Sequence, residues 1–96
     1  MTSKQRAYLM SLASNLDPVF QIGKSSLTPE ITEAVSECFH TRELIKINVL
    51  ETAPDDIKSL GEQISISTNS AFVQKVGNKI TLYRPRKKDP KIILQN

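Results

Sequence analysis

Residues 21–30 read Gln21-Ile22-Gly23-Lys24-Ser25-Ser26-Leu27-Thr28-Pro29-Glu30. An apolar stretch runs into a glycine, a lysine and two serines, and a helix start follows. This is phosphate-binding chemistry. Backbone N–H groups at a helix N-terminus point outward with partial positive charge. Gly23 lets the backbone approach a ligand closely. Lys24 adds a full charge, and Ser25 and Ser26 add hydroxyl donors. A nucleotide P-loop is the first candidate, but its pattern needs glycine five positions before the second glycine. That position is Pro18. The loop is also too short to wrap a triphosphate, and no acidic strand end offers a Mg²⁺ ligand. What remains is a grip on one or two phosphates of a nucleic-acid backbone, or a plain strand-to-helix turn with a solvated lysine.

Other chemistry is sparse. The single cysteine, Cys38, falls in an apolar helical stripe and reads as core. The single histidine, His40, sits at a helix end, far in sequence from Ser25 and Ser26, so no serine nucleophile has a visible activator. No Cys/His cluster has metal-ligand spacing. Asp55-Asp56 open a helix as capping charges. No enzyme activity and no cofactor are expected.

Periodicity supplies the elements that position the loop. Thr2-Ser3-Lys4-Gln5 fits a capping box, followed by an apolar face of Leu9, Leu12, Ala13 and Leu16. Asp17-Pro18 ends that helix. Val19–Ile22 is a short strand. Thr28-Pro29-Glu30 starts a second helix, with Ile31, Ala34, Val35 and Cys38 inward and an end near His40-Thr41. Leu44–Leu50 alternates as a half-buried strand, with Lys46 and Asn48 outward. Pro54-Asp55-Asp56 opens a third helix with Ile57, Leu60 and Ile64 inward, where Gly61 allows close packing. Ala71–Val76 and Lys79–Tyr83 form a hairpin whose Gly77-Asn78 turn suits type II′. Lys46, Asn48, Thr81 and Tyr83 share an outward sheet face, with Tyr83 as a candidate base-stacking aromatic. The order α-β-α-β-α-β-β predicts an α/β fold, a mixed four-stranded sheet with helices mainly on one face.

Ninety-six residues make one domain. The net charge is +3, unevenly spread. Residues 28–62 carry three bases against eight acids, whereas residues 63–96 carry seven bases against Asp89. Basic ends around an acidic middle suit a polyanion partner. With no apolar run near the ~20 residues of a membrane span and no signal-peptide pattern, a cytoplasmic monomer away from membranes is expected.

Several stretches then combine into a resemblance. Lys4-Gln5-Arg6-Ala7-Tyr8-Leu9, Pro18-Val19-Phe20-Gln21-Ile22-Gly23-Lys24, Leu27-Thr28, Glu43-Leu44-Ile45-Lys46 and Val73–Gly77 through Leu82–Pro85, in this order, resemble the CRM domain (chloroplast RNA splicing and ribosome maturation) of the stand-alone bacterial YhbY type. The resemblance implies a fold similar to the C-terminal domain of translation initiation factor three, and an RNA partner in precursors of the large ribosomal subunit. It makes residues 1–85 a CRM RNA-binding domain; the stretch beyond, 86–96, reads from its bases and prolines as a basic C-terminal tail, loosely ordered at its end. The resemblance makes Gly23-Lys24-Ser25-Ser26 a GxxG-like loop of the kind that clamps RNA backbone in KH domains. It also places Lys4 and Arg6 beside that loop; this chain's own Lys75, Arg84 and Arg86 are expected to widen the patch. The chain departs from the family pattern at Ser26, where glycine is usual, and at Met10, where a basic residue is common; altered affinity is the expected consequence. The alternative from another class is a protein-interaction module docking on ribosomal proteins through its acidic helices.

Overall fold

A side-chain cap starts each of the three helices. Thr2 Oγ1 accepts from the Gln5 N–H while Gln5 Oε1 accepts from the Thr2 N–H, the reciprocal box at the head of α1 (Ser3–Ala13). Thr28 Oγ1 accepts from the Ile31 N–H at α2 (Pro29–Cys38), and the Asp56 carboxylate from the Ser59 N–H at α3 (Ile57–Ser67). Each cap contributes about 1 kcal/mol. The computed structural model describes residues 1–24, 27–51, 53 and 56–94, so Pro54 and Asp55 of the expected third start lie outside the described residues.

The strands are β1 (Phe20–Ile22), β2 (Leu44–Val49), β3 (Ala71–Val76) and β4 (Lys79–Tyr83), in sheet order β1-β2-β4-β3. β1 pairs parallel to β2, and β4 pairs antiparallel to both β2 and β3. The hairpin's second strand is thus inserted at the centre of the sheet. Gly77 takes φ +59 while Asn78 has no positive φ, the sign pattern of a type II′ turn.

Strand alternation sends Ile22, Ile45, Ile47, Val49, Ile80 and Leu82 to one face, where α2 and α3 bring Val35, Phe39, Leu60 and Ile64. α3 lies very close to the sheet at Gly61, where an added Cβ would fall 2.2 Å from Phe72 Cε2. Two helices therefore cover one face, and α1 crosses part of the other, packing Leu9 and Ala13 on Leu44, Val73 and Tyr83. α1 stops at Ala13, before the expected Asp17-Pro18 boundary. Ser14 Oγ donates to the Ser11 carbonyl and the Leu16 N–H turns back to the Ala13 carbonyl, which leaves Leu16 exposed instead of in the apolar face.

The segment after Tyr83 is folded onto the domain. Glu43 is buried, and its carboxylate accepts from the backbone N–H groups of Arg86, Lys91 and Ile92. Ile92 and Leu94 then join the α1 cluster. Residues 86–94 are held because a buried acid needs donors and this segment supplies three; the end of the expected tail, 95–96, lies outside the described residues.

Tyr83 is corrected too. It is buried under α1 and offers no stacking surface. Burial, then the Glu43 carboxylate, raise its phenol above the ordinary value of 10.0. Folding therefore disfavours the phenolate: the stability this contributes is complete below the unfolded value and is lost as pH rises through the raised one. Urea denaturation across the alkaline range should show stability falling for the native chain and falling less for Tyr83→Phe.

Candidate nucleic-acid interface

Gly23 and Lys24 follow directly on β1, at the carboxyl end of the parallel pair, where ligands of open α/β sheets characteristically bind. The Leu50 N–H bonds to the Ile22 carbonyl and the Val49 N–H to the Asn78 carbonyl, so β1, β2 and the hairpin end together on one rim. Asn78 Nδ2 donates to Asn48 Oδ1 at 2.8 Å, and strand register sets Lys79 opposite Asn48. Lys24, Lys79 and Lys75 are exposed on or next to this rim, without an ion pair among the described residues. Ser25 and Ser26, both site candidates, lie outside the described residues.

The helix mouth contributes less than its sequence suggests. Pro29 has no N–H, the Ile31 N–H is taken by Thr28, and the Thr32 N–H begins the helical ladder at the Thr28 carbonyl. Glu30 adds negative charge to the first turn. The rim's positive character therefore comes mainly from lysines.

The structure does not gather the remaining candidates around this loop. Arg6 uses Nη1 to reach the carbonyls of Phe72 and Val73, at the register shift where β3 skips Val73 in its pairing with β4. This places Arg6 at the β3 edge; Lys4, on another face of the same turn, lies beside Tyr8, Ile93 and Leu94. β3 and β1 are opposite edges of the sheet, three strand spacings or about 14 Å apart. Arg84 lies at the other end of β4 from Lys79. Its Nη1 donates to Ser36 Oγ at 3.2 Å and the Thr68 carbonyl at 2.9 Å, its Nη2 to the Ser36 carbonyl at 3.2 Å, and its guanidinium lies 4.7 Å from the Phe39 ring centroid. Arg84 ties the ends of α2 and α3 to the sheet. Arg86 follows it at that far end.

Of the sequence candidates, Gly23 and Lys24 thus stand at the β1 end of the rim and Lys75 at its opposite, β3 end; Arg6 is tied to the outer β3 edge, Lys4 lies against the C-terminal segment, and Arg84 and Arg86 are at the far end of the sheet. Lys79 was missed as a rim residue. The signal for it was the Gly77-Asn78 turn, which fixes register and so puts the first residue of β4 level with the end of β2.

Known proteins similar to this chain agree with one another. The Bacillus subtilis protein YqeI, named as a probable RNA-binding protein, is 35% identical over 94 residues, covering 98% of both chains. A Haemophilus influenzae protein named as an RNA-binding protein is 31% identical over 85 residues, covering 88% of this chain and 86% of its own. The solution structure of the Staphylococcus aureus protein SAV1595 superimposes with a TM-score of 0.84 at 42% identity, covering 99% of each chain. The CRS1 / YhbY (CRM) domain model matches residues 1–84. With its mixed sheet, three helices and a loop at the carboxyl end of β1, this chain belongs to the CRS1/YhbY (CRM) domain family.

Proposed function

We propose that the chain binds the phosphate backbone of structured RNA at the rim formed by Gly23, Lys24 and the β3–β4 hairpin, as an assembly factor for the large ribosomal subunit. The observation that carries the reading is Lys24: it sits on the family's loop, exposed, with no partner among the described residues. A lysine that the fold does not use is available to an anion. Lys79 and Lys75 extend the same rim, and Asn48 and Asn78 present amides between them. Such contacts fix position on the backbone without reading bases. The relatives' names support RNA as the partner class; the ribosomal setting follows the family resemblance.

The rim supplies about three cations, so log K for an RNA fragment should fall with log salt at a slope of about −2 to −3. Fluorescence anisotropy across a salt series measures it, and a flat response would refute the electrostatic grip. An NMR titration should move residues 23–24 and 27–29 together with the hairpin; RNA binding that left them still would place the site elsewhere.

A further inference from the structure

The far end of the molecule carries a second basic concavity. A cleft of about 780 Å³ opens between the C-terminal ends of α2 and α3 and the segment after β4, lined by Ser36, Phe39, His40, Asn69 and residues 84–88. Arg84, Arg86, Lys87 and Lys88 face it, and no carboxylate does. Two features distinguish it from an ordinary solvated surface.

The first is how the basic segment is held. Glu43 anchors it through backbone N–H groups of Arg86, Lys91 and Ile92, not through side-chain charges. Arg86, Lys87 and Lys88 therefore have no ion-pair partner among the described residues. A buried acid has fixed consecutive cations close together and left their mutual repulsion unrelieved, and a bound polyanion would relieve it. The second is Arg84, which donates to the Ser36 and Thr68 carbonyls at the ends of two helices. It offsets the negative dipole ends that would otherwise repel an anion there.

We infer that this cleft is a second RNA-backbone site, independent of the rim, binding phosphates through Arg86, Lys87 and Lys88 with His40 and Asn69 at its wall. The inference rests on the reading of the chain as an RNA binder. The two sites lie at opposite ends of α2, ten residues or about 15 Å apart. Between them the helix carries exposed Glu30, Glu33 and Glu37, so a strand cannot lie along α2 without meeting like charge. The cleft therefore engages a second RNA segment, and the protein bridges two.

The test is an NMR titration of the full chain with a short single-stranded RNA, repeated for Lys24→Glu and for the double variant Lys87→Glu/Lys88→Glu. In the native chain the cleft signals (Ser36, His40, Asn69, Lys87, Lys88) should shift as well as those of the rim. Lys24→Glu should quench the rim shifts and spare the cleft; the double variant should do the reverse. Rim shifts with a silent cleft would overturn this inference and leave the proposed function standing. Cleft shifts with a silent rim would do the opposite. Inorganic phosphate at matched ionic strength should move the cleft far less than RNA; an equal response would make it a small-anion pocket and overturn the bridging role.

Discussion

Lys24→Glu is expected to lower RNA affinity by about 10- to 100-fold near physiological salt and to leave the fold intact. The reasoning joins two observations. Lys24 is exposed and contributes no interaction to the described fold, so its replacement should change stability by no more than about 0.5 kcal/mol. It also stands at the carboxyl end of β1, with Lys79 and Lys75 the other cations of the rim. Reversing one charge in so small a set removes one phosphate contact and sets a repulsive centre in its place. The salt slope should flatten by about one unit or slightly more. Anisotropy measurements with a ribosomal RNA fragment at two salt concentrations, beside thermal melts, separate binding from folding. Unchanged affinity would remove the rim from the mechanism. It would leave the RNA to the basic cleft at the far end of α2, whose cations the reversal at Lys24 does not touch. Conversely, lost RNA binding with intact binding to a ribosomal protein would show two separate surfaces.

Local order was legible in the sequence because it depends on neighbours. Thr2-Ser3-Lys4-Gln5, Thr28-Pro29 and Gly77-Asn78 each specify a backbone event within a few residues, and all three occur. Of the two parallel pairs that the strand–helix–strand order implies, β1–β2 forms, whereas β2 and β3 are separated by β4. Which cations share a surface was not legible. That depends on the insertion of β4 between β2 and β3, which sends residues adjacent in a charge count to opposite ends of the sheet. Arg6 and Arg84 looked like free surface charges because their acceptors are distant in sequence. Arg6 reaches carbonyls 66 and 67 residues away, at a register shift that no residue pattern announces. Glu43 looked like one more acid of an acidic segment. Its burial becomes intelligible only when the last residues return to give it three N–H donors. Tyr83 was misplaced for the same reason: α1 and the returning segment cover the sheet face it occupies.

Arg84→Ala should destabilise the domain by about 2–4 kcal/mol, since it removes charge-assisted hydrogen bonds and leaves half-buried carbonyls short of a donor. For a domain of this size that is a fall in Tm of roughly 10–25 °C. The guanidinium serves the Ser36 hydroxyl and the Ser36 and Thr68 carbonyls at once, from above the Phe39 ring. A planar fork can do this and a single ammonium cannot, so Arg84→Lys should recover less than half of the loss. The same substitution discriminates between a fold role and an RNA role at this position. If Arg84 held phosphate, its removal would weaken RNA binding with little change in Tm. If it fastens α2 and α3 to β4, the melt moves first, and RNA binding at the rim survives at temperatures where the variant is still folded. Circular dichroism melts and anisotropy on the same samples read both. An unshifted Tm would mean that the helix ends are held by their apolar contacts alone, through Phe39 and Ile64.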